Sequence, residues 1–147
     1  MGQLITSPDV CERLRLDLLG SARLMGVQLD AACTPLPQDM PTRLPFAWIR
    51  ALGGTRRDLV IDETMITVGV YAATWATALD AARVAHAILL RLPYEHDALT
   101  SWKRIDALNL PYEDPDPDRP DLARISFTLT VTCKATVSSI PDTTSND

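Results

Sequence analysis

Histidine is nearly absent from this chain of 147 residues, and that scarcity narrows its chemistry. Only His86 and His96 occur, and neither has a second histidine at a ligand spacing, so a metal site is not expected. His86 falls within a helical pattern near the border of its apolar face, where a packing role suffices. His96 lies in the run Glu95-His96-Asp97, which reads as a solvated turn. A nucleophile–base–orienter triad would have to be built around one of these two, and no partner set suggests itself. Basic excess is absent too: the net charge is −5, which argues against a domain that grips nucleic-acid phosphates. An acidic wall would still let DNA pass without sticking.

Aromatics make up only 5% of the residues, and Trp48, Trp75 and Trp102 are too far apart to form a base-stacking platform; core or interface positions explain them. The cysteines are three, Cys11, Cys33 and Cys133, with no CxxC pair, so a disulfide framework is not expected. Small buried hydrophobes in a reducing compartment are the plain reading. No apolar run is long enough for a membrane span, because Asp80, Arg83 and His86 interrupt the stretch from Ala72 to Leu92. The N-terminus, MGQLITSPDV, lacks a basic segment followed by an apolar one, so no signal peptide is expected.

What is present is enough for a core. Hydrophobic residues are 46% and charged residues 22%, ordinary values for one globular domain of this length. Ser7-Pro8-Asp9 reads as a helix start, with Ser7 as N-cap and Pro8 in the first turn. Val10, Leu14, Leu18, Ala22 and Met25 then recur at helical spacing up to Gly26. Prolines 35, 37, 41 and 45 mark a connecting loop from Cys33 to Pro45. Phe46–Leu52 is expected as a strand, Gly53-Gly54-Thr55 as the hairpin turn, and Leu59–Ala72 as the returning strand. The glycine pair with Arg56 and Arg57 has a faint phosphate-loop look, but glycines joining two strands do not make one.

Thr74 can cap a second helix over Trp75–Leu92, with Ala78, Leu79, Ala82, Ala85, Ile88, Leu89 and Leu92 on one face and Pro93 as the stop. A strand is expected within Ser101–Leu110. The segment PYEDPDPDRPD, 111–121, offers almost no apolar surface and reads as a solvated loop or flexible arm. Its acidic residues do not fit a calcium loop, because the prolines break the frame. The last strand alternates strictly, Ile125, Phe127, Leu129, Val131 and Cys133 against Ser126, Thr128, Thr130, Thr132 and Lys134. The fold class is therefore α+β: a single antiparallel or mixed sheet with two main helices on one face. Residues 1–134 are expected as one domain and 135–147 as a flexible tail.

Leu44-Pro45-Phe46, Ala51-Leu52-Gly53-Gly54, the block Ile66–Ala72, the capped helix Trp75–Leu92, the Pro/Asp-rich segment 111–121 and the alternating strand Ile125–Cys133 together resemble the tail terminator (tail completion) proteins of siphophages, especially those of actinobacterial phages. The resemblance spans Pro8 to Lys134. It implies a small α+β virion protein that forms a ring, typically a hexamer, on the head-proximal end of the tail tube. Such a ring ends tube polymerisation and docks to the head connector (stopper) protein, while DNA passes through the lumen without specific binding. It implies no enzyme activity, no cofactor and no membrane.

A closed ring needs heterologous contacts, one patch meeting a different patch on the neighbour. Charge and exposure nominate the Arg56-Arg57 tip and the acidic loop with Glu113, Asp114, Asp116 and Asp118, together with Trp102 and Tyr112, as assembly-interface residues. Three rivals remain from the residues alone: another virion protein such as a stopper or tail-tube subunit, an enzyme relying on His86, His96 or scattered carboxylates, or a small cytoplasmic ligand-binding or regulatory domain. An apolar pocket with a few converging polar groups would favour the last.

Overall fold

A computed structural model describes residues 2–139. The protein is α+β, with a six-stranded mixed sheet ordered β2-β3-β4-β7-β5 and β6 beside β7. The strands are β1 Gln3–Thr6, β2 Asp30–Ala32, β3 Phe46–Asp58, β4 Ile61–Ala72, β5 Arg104–Ala107, β6 Tyr112–Glu113, β7 Ala123–Lys134 and β8 Thr136–Ser139. The helices are α1 Val10–Leu24 and α2 Trp75–Arg91. All pairings in the main sheet are antiparallel except β2 with β3.

Alternation in β7 decides which face is dry. Ile125, Phe127, Leu129, Val131 and Cys133 are buried and share one cluster with Ala47 and Ile49 of β3 and with Ile66, Val68 and Val70 of β4. That cluster takes in Val10, Leu14, Leu18 and Ala22 of α1 and Ala78, Ala82, Ala85, Ile88 and Leu89 of α2, so both helices cover the same face. Alanines at four of those positions let helix and sheet approach closely. Asp9, not Ser7, caps α1: its carboxylate accepts the Glu12 N–H at 3.2 Å, and Pro8 lies one step before the cap. Thr74 caps α2 as expected, accepting the Thr77 N–H.

The opposite face is covered over part of its length. Phe46 and Tyr71 are buried there against Met40, Leu36, Leu44 and Leu122, so the proline-rich loop is a lid as well as a connector. A two-stranded ribbon lies apart from the main sheet, with β1 antiparallel to β8 from Gln3↔Ser139 to Thr6↔Thr136. The flexible tail expected from residue 135 therefore starts too early. Ala135 is buried with its N–H on the Val60 carbonyl, and Thr136–Ser139 is a strand because β1 supplies backbone partners invisible in a local reading. The remainder of that expected tail, 140–147, lies outside the described residues. No described helix is long and apolar enough to cross a membrane.

Candidate assembly surfaces

The first surface is the distal half of the β3–β4 hairpin, where β3 is outermost and β4 stays paired with β7 down to Ile61↔Lys134. Strand β3 does not turn at Gly53-Gly54-Thr55 as the sequence suggests; it continues to Asp58, and Leu59-Val60 makes the turn. The glycine pair is a bulge instead. Between the pairs Ala51↔Ile66 and Gly54↔Thr64, β3 spends one residue more than β4. Gly53 sits at φ +97°, which side chains rarely adopt, and a Cβ on Gly54 would collide with the Glu63 carbonyl and come within 2.8 Å of Thr64 Cα.

The extra residue reverses the alternation, so Ala47, Ile49 and Ala51 are followed on the helix side by Gly54 and Arg56. Arg56 thereby meets Asp62 across the hairpin, with Nε to Oδ1 at 2.7 Å and Nη2 to Oδ2 at 3.3 Å. Asp62 is buried and its carboxyl is held below its ordinary range, first by Arg56, against the cost of burial, and then by Ser7. Arg56 Nη1 also donates to the Ile5 carbonyl, fastening the β1–β8 ribbon to the hairpin. Arg57 pairs with Glu63 at 3.3 Å. The two arginines nominated as a free tip are thus engaged within the chain. Exposed beside them, along with Thr55 and Asp58, are four large apolar side chains: Leu52 (56%), Leu59 (76%), Leu4 (51%) and Val137. Beyond β2, which pairs only with residues 46–48, the outer edge of β3 has no strand partner among the described residues. A groove of about 600 Å³ lies between the start of α1 and this hairpin, lined by Asp9, Cys11, Gly53 and Arg56.

The acidic segment is equally unlike a free arm. Asp116 is buried (8% exposed), accepting from the Tyr71 hydroxyl at 2.8 Å, from the Asp118 N–H at 3.0 Å and from Arg119 at 3.2 Å. Burial raises the pKa of Asp116, but these donors and Arg124 outweigh it and hold the carboxyl below its ordinary range. Asp114 accepts from Ser126 Oγ at 2.7 Å, and its own carbonyl takes the Arg124 Nε at 2.7 Å. Arg124 can lie flat across the sheet because Gly69 has no side chain; a Cβ there would stand 3.1 Å from Arg124 Cδ. The segment is a latch on the sheet face, and only Tyr112, Glu113 and Asp118 of the nominated residues on it are exposed.

Trp102 is core rather than surface. It is 4% exposed, and its indole N–H donates at 2.7 Å to Asp17, which is buried too and also accepts from the Leu99 and Thr100 N–H groups. Sequence reading missed Asp17 because a carboxylate inside an amphipathic helix ordinarily marks the wet face. His86 is buried against Phe127, edge to face at 4.9 Å, and desolvation lowers its pKa despite the nearby Asn109 carbonyl. His96 is exposed. Among the described residues no three His, Cys, Asp or Glu side chains gather as a metal site would require. No model of a known protein family matches the chain, and no curated protein matches it.

Proposed function

We propose that the protein is a siphophage tail terminator, a structural subunit that caps the head-proximal end of the tail tube as a ring. In this reading it ends tube polymerisation, meets the tube protein on one side and the head connector on the other, and leaves a lumen for DNA. The supporting observation is the division of labour in the fold. A fully cored α+β body carries a long β3–β4 hairpin, an arm of the sheet backed along its full length by β7, whose outer half is clamped by its own ion pairs yet exposes Leu52 and Leu59. Exposed apolar side chains on a stiffened arm suit contact with a protein neighbour. The acidic balance of the chain suits a passage that DNA must not adhere to.

Tail length tests the reading directly. In lysates of a siphophage carrying this chain, with its gene inactivated, electron microscopy is expected to reveal overlong tails of variable length, detached from DNA-filled heads. Tails of normal length joined to heads would refute the proposal.

A further inference from the structure

A second surface lies at the far end of the sheet from the hairpin turn. Trp75, Leu79, Arg83 and His86 follow one another at steps of four, four and three, so they form a single stripe down one flank of α2. Facing that stripe is the segment Leu110–Tyr112. Between the two walls lie adjoining hollows of about 400 and 250 Å³ that share Leu79, Arg83 and Pro111.

Three features of this groove are unspent on the fold. His86 is more than nine-tenths buried and lines the smaller hollow, yet its Nε2 makes no hydrogen bond of ordinary geometry with any described residue, the nearby Asn109 carbonyl included. A buried polar atom left unpaired is uncommon and asks for a partner. Arg83 is exposed and forms no ion pair with any described residue, although most other arginines of the chain are paired. Trp75 (41%) and Tyr112 (45%) flank the groove as half-open aromatic walls, the residue types that carry binding energy at interfaces.

We infer that this groove binds a short extended protein segment in which an aliphatic or aromatic side chain is followed by a carboxylate. The apolar side chain lies between Trp75, Leu79 and Tyr112, and the carboxylate reaches Arg83 beside the His86 imidazole. Charge sets that polarity. The smaller hollow holds Arg83 and no acidic residue, whereas Glu113 stands at the Trp75 end of the larger one. The length also fits: the stripe covers about 16 Å of helix, which an extended peptide spans in about five residues. β6 pairs only with β7, so its second backbone edge is available to an added strand. Choosing a protein segment over a free small acid rests on the assembly reading above.

The test is an NMR titration of the isolated, ¹⁵N-labelled full chain with the capped peptide acetyl-Ala-Leu-Phe-Asp-Ala-amide. Saturable shifts are expected at the Trp75 indole, Arg83, His86 and Tyr112, with the hairpin residues unmoved. The Asp-to-Asn peptide and the exposed-site variant Arg83→Gln are each expected to bind roughly tenfold more weakly, the loss of one charge-assisted contact. No saturable shift at millimolar peptide, or equal binding by the Asp and Asn peptides, would overturn the assignment. Binding of indole-3-acetate where the peptide fails would overturn it in favour of a small acid. Because the titration uses the isolated chain, its failure removes this groove assignment and leaves the tail-length experiment to judge the terminator reading.

Discussion

The two ends of the β3–β4 hairpin are held by different physics. At the Phe46–Ile49 and Ile66–Ala72 end, the inward side chains are buried beneath α1 and α2, and stability comes from apolar area. At the Gly54–Asp58 and Ile61–Thr64 end only the start of α1 comes near, and cohesion comes from backbone pairing of β4 with both β3 and β7, the Arg56–Asp62 and Arg57–Glu63 bridges and the ribbon across one side. One end is specified by volume and the other by direction. An end that does not depend on burying its side chains can offer them to a neighbour, so substitutions at the two ends should separate stability from assembly.

The largest stability effect belongs to the covered end. Phe127→Ala removes a fully buried ring beneath α2 and is expected to cost about 4 kcal/mol, read as a lowered urea midpoint with unchanged slope. Trp102→Phe keeps the volume near but strips Asp17 of one of its three donors. About 2 kcal/mol should follow, since hydrogen bonds to charged groups carry roughly that much. Gly54→Ala belongs to the uncovered end and is expected to cost a similar amount, about 2 kcal/mol, through the collision with the Glu63 carbonyl. Here the loss should be local: hydrogen exchange is expected to quicken across residues 52–63 while β7 residues 125–129 stay protected.

Acid should reach the covered body in two stages. His86 has a pKa lowered from 6.5 by burial, so the unfolded chain takes up the proton first and stability falls as pH drops below about 6.5 toward the folded value. Asp116 is lowered from 3.8, so its contribution is intact above that value and is lost as pH falls through the folded pKa, releasing the latch on Tyr71. In thermal melts recorded between pH 7 and pH 3, His86→Phe should remove the upper limb of the profile and Asp116→Asn should shrink the lower, the remainder belonging to Asp62, Asp30 and Glu12. Persistence of the upper limb in the His86 variant would assign it to other groups.

Much of the body was legible because its signals are local. The alternation in Ile125–Cys133 and the alanine stripe of α2 state period and face at once, and Thr74 marks its own helix start. The candidate site was less legible, for a physical reason in each case. A glycine pair that allows a turn also allows a bulge, and only the register against β4 decides between them. The carboxylates of Asp114 and Asp116 look free because partners such as Tyr71, Arg124 and Ser126 are distant in sequence or on another strand. Short strands such as β1 and β8 need each other, and no window contains both.

The smallest effect on folding should accompany a large effect on assembly. Reversing Arg56 and Arg57 cannot test the hairpin as an interface, because glutamates there would face Asp62 and Glu63 and weaken the arm itself. Leu52→Lys with Leu59→Lys avoids that confusion. Both side chains are mostly exposed already, so the free protein should change by no more than about 0.5 kcal/mol. If the arm meets a neighbour through these leucines, the charged pair should abolish ring formation by the purified chain or capping of tubes, with an unaltered melting temperature. Normal assembly by the double variant would move the contact elsewhere, to the unpaired edge of β3 or to the α2 groove, and would make the ion pairs of the arm a device for stiffness alone.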